Sequence, residues 1–168
     1  MSPMRPVHNF ELQVAQASDH DCIEMLMQFY HYDASEWISL DITQDGRYAF
    51  RSIRRFWDDP KQFPFLIRVD GAVAGFAVID KEVTNDESDL NVGYLFVLRR
   101  FRGQGIGRTA AHQLFAQFHG CWEVYQVQEN LDAIHFWRQV ISDFTKGKFD
   151  ERMLVIDGRK CIQQQFQS

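Results

Sequence analysis

Between Leu95 and Arg108 the chain reads Leu-Phe-Val-Leu-Arg-Arg-Phe-Arg-Gly-Gln-Gly-Ile-Gly-Arg, with three glycines in five residues. An apolar run precedes them and a helical stripe follows, so they form a turn from a strand into a helix. Glycine bends the backbone sharply and leaves its N–H groups open to a close ligand. The first N–H groups of a helix lack intrahelical acceptors, and the helix dipole adds positive potential there. A phosphate fits such a turn. Arg99, Arg100, Arg102 and Arg108 surround it with cationic groups. The plainer reading, a tight connection and nothing more, suits one glycine better than three among arginines.

The rest of the chain supplies a frame for that turn. Asn9–Ala15 reads as a first strand, and Ser18 as the N-cap of a helix to about Tyr32 with Cys22, Ile23, Leu26, Phe29 and Tyr30 on its stripe. Phe50, Ile53, Phe56 and Trp57 predict a second helix over about 47–57, with Pro60 and Pro64 at its exit. Phe65–Val69 and Val73–Lys81 flank Asp70-Gly71, a pair suited to a type I′ hairpin turn. Leu90–Leu98 is a fourth strand. Ile106, Ala110, Ala111, Leu114, Phe115 and Phe118 predict a third helix to His119, ended by Gly120. Trp122–Val127 is a fifth strand, and Asn130 caps a fourth helix striped by Ala133, Phe136, Trp137 and Val140.

A second Asp-Gly hairpin, at Asp157-Gly158, closes the chain. It would pair Phe149 with Phe166, Met153 with Ile162 and Val155 with Lys160 on a face suited to a core. The order is β-α-α-β-β-β-α-β-α-β-β in one domain: an α/β fold with a mixed sheet and helices on both faces.

Which phosphate ligand fits is partly settled by exclusion. No Gly-Lys-Ser/Thr ending supports a P-loop, and the third glycine falls one residue early for a dinucleotide fingerprint. Arg102-Gly103-Gln104-Gly105-Ile106-Gly107 resembles the pyrophosphate loop of the GNAT acetyltransferases, written Arg/Gln-x-x-Gly-x-Gly/Ala. Asn130-Leu-Asp-Ala133-Ile-His-Phe136-Trp137 resembles that family's second signature, Asn-x-x-Ala-x-x-Phe-Tyr.

The resemblance implies a mostly antiparallel central sheet, splayed between the fourth and fifth strands. It implies acetyl-coenzyme A as co-substrate, its diphosphate held by Arg102–Arg108. The pantetheine amides would pair with backbone at Phe96, Val97 and Leu98, and Asn130, Ala133, Phe136 and Trp137 would border the arm. The same residues serve as a helix cap (Asn130) and core (Phe136, Trp137). An amine would attack the thioester directly. The chain departs from the family where Trp137 replaces the usual tyrosine acid. Indole donates a hydrogen bond but no proton at neutral pH. For the base, the sequence offers Tyr94 and Asn91 within the fourth strand and Asp89, Glu87, Glu123 and Glu129 nearby. Of these, Asp89 and Tyr94 join Trp137 as the catalytic candidates.

Composition narrows the partners. The net charge is −5, from 18 basic and 23 acidic residues, which argues against nucleic acid. No stretch reaches the ~20 apolar residues of a membrane span, and Met1–Phe10 has no leader-like apolar run. Cys22, Cys121 and Cys161 are scattered and odd in number, which suits the cytoplasm. The histidines show no metal spacing, His112 and His119 reading as a solvated helix face, so no metal is expected. The loop 31–45 borders the acceptor site in the family. It carries Asp33, Glu36, Asp41 and Asp45 with Tyr32 and Trp37, which would suit a cationic small-molecule amine; a peptide amine, or a merely solvated loop, stays open. A non-catalytic acyl-coenzyme A binding module is the rival reading. The final hairpin could pair with a second copy in a homodimer.

Overall fold

The computed structural model describes residues 9–168. The leader-free reading of the first residues therefore lies, for 1–8, outside the described residues. The elements are β1 (Phe10–Val14), α1 (His20–Ala34), α2 (Arg55–Asp58), β2 (Gln62–Val69), β3 (Ala72–Asp80), β4 (Leu90–Val97), α3 (Ile106–Gln117), β5 (Cys121–Val127), α4 (Leu131–Thr145), β6 (Asp150–Ile156) and β7 (Arg159–Gln167). Their order is the one expected, and the strands form one seven-stranded sheet in the order β1-β2-β3-β4-β5-β7-β6.

All neighbouring strands run antiparallel except β4 and β5. That parallel pair joins only at Leu90–Trp122 and Asn91–Glu123. Beyond those residues the two strands part, so among the described residues no strand lies beside one edge of β4 from Val92 onward. Both hairpins turn as Asp-Gly predicts: φ is 51° and 79° at Asp70 and Gly71, and 49° and 75° at Asp157 and Gly158.

The sheet divides two cores. On one face Phe115 of α3 is the hub, its ring 5.0 Å from Trp122 and 4.8 Å from Phe166. On the other, α1, α2 and the turn before α2 press Ile23, Leu26, Met27, Ile53 and Phe56 against Leu66, Phe76, Val78 and Phe96.

Several expectations fail for identifiable reasons. Ser18 does not cap α1; the helix is entered through a 3-10 turn at Ala17–Asp19, where Asp19 Oδ2 accepts from Gln16 N at 2.8 Å. Phe29 stands exposed beside the buried stripe of α1. The helix expected over 47–57 shrinks to Arg55–Asp58. Upstream, the Gln28 side chain bonds both Tyr48 N (2.8 Å) and Tyr48 O (3.2 Å), and Ala49 N bonds Asp41 O. Backbone groups committed this way cannot join a helical ladder, although Ile53 and Phe56 are buried as their spacing implies.

Pro64 lies within β2, opposite Val78, and does not bracket a loop. The third helix stops at Gln117, with Phe118 already extended, so Gly120 is not its cap. The final hairpin keeps the expected register, but Met153 and Val155 are 60% and 67% exposed. β6 is the edge strand, and α4 packs over β5 and β7, one strand short of it. No described helix is long and apolar enough to cross a membrane.

Candidate active site

The parting of β4 from β5 opens a cleft of about 810 Å³. It is lined by β4 from Val92 to Val97, by the glycine turn, by Val124–Val127 and by the start of α4. A shallower concavity of about 580 Å³, lined by Glu87, Cys121 and Lys148 among others, lies at the other end of β5. It contains neither the glycine turn nor the splay, so the chemistry belongs to the larger cleft.

At the turn the three glycines have different reasons to be there. Gly103 and Gly105 adopt φ of 71° and 79°, and a Cβ on either would meet open space. Their constraint is backbone conformation. Gly107 has an ordinary φ, but a Cβ there would come within 3.3 Å of the Phe136 ring. Gly107 thus lets α3 and α4 approach. Gly105 is the N-cap of α3, a left-handed residue with no side chain to cap the first turn. The leading N–H groups of α3 therefore open toward the cleft with the positive end of the helix dipole behind them.

The surrounding arginines are mostly engaged. Asp33, at the end of α1, takes Arg99 Nη2 at 2.9 Å and Arg102 Nη2 at 2.6 Å. Arg102 Nε also donates to Val97 O at 2.7 Å, and Arg108 pairs with Asp143 of α4 at 3.1 Å. Arg100 lies over the Phe101 ring. Burial works against ionisation of Asp33, but the hydrogen bonds and charges of Arg102 and Arg99 outweigh it and hold the carboxyl below its ordinary range.

Of the residues singled out from sequence, Tyr94, Phe96, Val97, Arg102, Gly103, Gly105, Ile106, Gly107, Arg108, Asn130, Ala133, Phe136 and Trp137 all line this one cleft. Leu98 and Gln104 do not. Leu98 N is bonded to Ala74 O, and Gln104 Nε2 to Arg100 O. Asn130 Oδ1 accepts from Ala133 N at 3.1 Å, so the cap expected of it forms. Trp137 is buried against Phe136 and Phe115, and its indole N–H has no partner among the described residues.

The carboxylates separate sharply. Asp89 lies away from the cleft, its Oδ2 taken by Cys121 N at 2.8 Å. Glu123 is fully buried under the loop after β3, where Thr84, Asn85 and Gln163 all donate to it. Of the loop acids only Asp33 and Glu36 line the cleft; Asp45 is occupied by Thr43 and Arg47. The Tyr94 hydroxyl accepts from Arg55 Nη2 at 3.2 Å and donates to none of the described residues. Burial raises the Tyr94 phenol above its usual range despite Arg55, so it stays protonated at neutral pH.

Sequence reasoning passed over Asp80, at the end of β3. It is 4% exposed, and burial pushes its carboxyl up to about 6 against hydrogen bonds from Glu82 N and Asn91. An acid closing the apolar run Ala77-Val78-Ile79 was the available signal. His112, read as solvated, instead bonds Val140 O at 2.9 Å; His119 is exposed. His20, Asp21 and Glu24 bring three potential ligand atoms within 4.8 Å on α1, but none of them lines the cleft.

Known proteins share both the sequence pattern and this architecture. The pattern of the Acetyltransferase (GNAT) family matches residues 25–140. An acetyltransferase from Thermus thermophilus superposes with a TM-score of 0.68 at 18% identity, over 95% of this chain and 97% of that one. A putative acetyltransferase from Salmonella typhimurium, solved with its cofactor acetyl-CoA, gives 0.62 at 16% identity, over 95% and 94%. A spermidine N-acetyltransferase variant from Vibrio cholerae gives 0.62 at 14% identity, over 94% and 93%. These likenesses establish a shared fold. No curated protein matches the chain.

Proposed function

Since this chain belongs to the GNAT acetyltransferase family, we propose that it moves the acetyl group of acetyl-coenzyme A onto a primary amine by direct attack. The observation that carries the proposal is the continuity of one cleft. The bare N-terminus of α3, the strandless edge of β4 and the first turns of α4 all open into it.

The co-substrate supplies a thioester, whose carbonyl carbon accepts the amine as the carbon–sulfur bond breaks. The residues present suit such a molecule. The N–H groups after Arg102 fit its diphosphate. The cleft-facing edge of β4 up to Val97 fits the amides of its arm as an added strand would. Asn130, Ala133, Phe136 and Trp137 wall the arm on the far side. Holding both reactants in one cleft contributes roughly 7–11 kcal/mol toward the barrier. A β4 N–H aimed at the developing oxyanion adds to this. Trp137 cannot protonate the departing thiolate, but its free indole N–H can steady it.

The acceptor end carries Tyr30, Trp37, Tyr94 and Tyr125. Of the acids there, Asp33 is neutralised by two arginines, leaving Glu36 unpaired among the described residues. That balance favours a single amine on a small or flat body, or on a peptide, over a polycation. Three cysteines without disulfides support a cytoplasmic setting.

Mass spectrometry of the protein with acetyl-coenzyme A and an amine panel tests the reading. A product heavier by one acetyl group supports it. Tight coenzyme binding with no turnover on any amine would instead identify a binding module. Gly105→Val should abolish coenzyme affinity; unchanged affinity would remove the diphosphate site from the α3 turn.

A further inference from the structure

We propose that Asp80 accepts the proton released by the attacking amine, reaching it at the gap that Gly93 leaves in β4. The inference rests on the acetyl-transfer reading above and adds the group that reading lacks.

Asp80 projects from β3 on the same face as Phe76 and Val78, toward α1 and α2. Its Oδ1 is fixed by two donors, Glu82 N at 2.9 Å and Asn91 Nδ2 at 3.1 Å. Its Oδ2 accepts from no described residue. Opposite it, β4 carries an irregularity: Val78 pairs with Tyr94 and Ile79 with Val92, so Gly93 is the extra residue. A Cβ on Gly93 would fall 2.3 Å from Asp80 Oδ2. Glycine is thus the only residue that lets the free oxygen lie against this strand. Gly93, with Val92 and Tyr94 on either side, lines the cleft. The carboxylate therefore sits at the base of the splay, separated from the cleft by glycine backbone.

A second feature points to a donor arriving at this spot. Asn91, 4% exposed, gives its amide N–H to Asp80 and leaves its own Oδ1 buried without a partner among the described residues. A buried acceptor without a donor costs free energy until something supplies an N–H or O–H group. An amine or the water bound with it does so. Of the acids on or beside β4 and β5 that the sequence offered, Asp89 is committed to Cys121 N, and Glu123 to Thr84, Asn85 and Gln163.

The step balances. The amine nitrogen bonds to the thioester carbon, the carbon–sulfur bond breaks, the thiolate leaves with its electron pair, and the nitrogen's proton passes through one bound water to Asp80 Oδ2. The charged and titratable groups around Asp80 are Glu82 beside it, Arg55 of α2, Tyr94 of β4 and Tyr125 of β5. Arg55 favours the carboxylate and Glu82 opposes it, while burial, the largest influence, raises its pKa. A base titrating near 6 is mostly ionised at neutral pH and still a competent acceptor.

The experiment takes the amine found by the panel and measures kcat and KM from about pH 5 to 9 for the wild type and Asp80→Asn. The wild type should show an acidic limb near pH 6. Asp80→Asn should lose roughly 10²–10⁴-fold in kcat, keep its KM for acetyl-coenzyme A within about twofold, and lack that limb. A variant that keeps the limb, or more than a tenth of kcat, overturns the proposal while the acetyl-transfer reading stands. A wild type that acetylates no amine overturns both. If Asp80→Asn does not fold, carbon-13 NMR of the wild-type Asp carboxyls replaces it. A carboxyl titrating near 6 that shifts when coenzyme A and the amine bind together supports the role. The absence of such a signal refutes it.

Discussion

Asp33 Oδ2 lies 2.6 Å from Arg102 Nη2, and its Oδ1 lies 2.9 Å from Arg99 Nη2, so one carboxylate at the end of α1 holds two arginines of the glycine turn. The acceptor side of the cleft is thereby tied to its phosphate side. Asp33→Asn should lower stability at pH 7 by about 1 kcal/mol, a modest figure because both arginines are well exposed. The Asp33 carboxyl is depressed, so its contribution is complete above the unfolded value of 3.8 and is lost as pH falls through the lower folded value. Urea unfolding should therefore show a gap between wild type and variant at pH 7 that closes in strong acid.

Asp80 has the opposite sign. Its carboxyl is raised from 3.8 to about 6, so the folded protein holds this proton more tightly than the unfolded chain. Stability from this group is present below about pH 4 and lost as pH rises through about 6. The tighter hold on the proton corresponds to about 3 kcal/mol. Asp80→Asn removes that penalty, and its amide oxygen can still accept from Glu82 N and Asn91. The variant should be more stable than wild type at pH 7 by up to about 3 kcal/mol, the difference shrinking toward about pH 4. Thermal melts across this range check it.

Gly75 lies on β3 opposite Val97, where a Cβ would meet Phe96 O at 2.0 Å and Val97 Cα at 3.0 Å. Both are backbone atoms and cannot rotate away. Gly75→Ala should therefore shift β4 against β3 and cost about 3 kcal/mol. It should also weaken coenzyme binding, because the displaced strand is the cleft's own edge. Denaturant unfolding and calorimetry with coenzyme A measure the two effects.

Trp137→Phe removes the indole N–H and keeps an aromatic wall. If that N–H steadies the leaving thiolate, kcat falls on the order of tenfold, the worth of about one hydrogen bond. Indole does not titrate, so the loss should be equal at about pH 6 and pH 9. A loss that grows on one side of the profile would point to proton transfer instead.

Local chemistry made much of this molecule readable. Asp-Gly pairs demand positive φ, so both hairpin turns followed from the chain, and so did the register of the second; the first breaks register between Ile67 and Arg68. Asn130 capped the helix it precedes because its oxygen and the Ala133 N–H are three residues apart. The helix over 47–57 misled because its stripe is real while its backbone is not helical: Gln28, twenty residues upstream, had already claimed the groups at Tyr48. Asp89 looked available beside the fourth strand until the fold brought Cys121 N against it.

The order of elements, the two tight turns, the glycine turn at the head of α3 and the helix that follows β5 were all written in the chain. Each depends on φ preference, capping or periodicity, which act over a few residues. Two relationships came from assembly alone: that Asp33 grips two arginines sixty-six and sixty-nine residues away, and that Asp80 shares the base of the splay with Gly93. They join strands and helices distant in the chain, and packing against a common sheet is what brings them together.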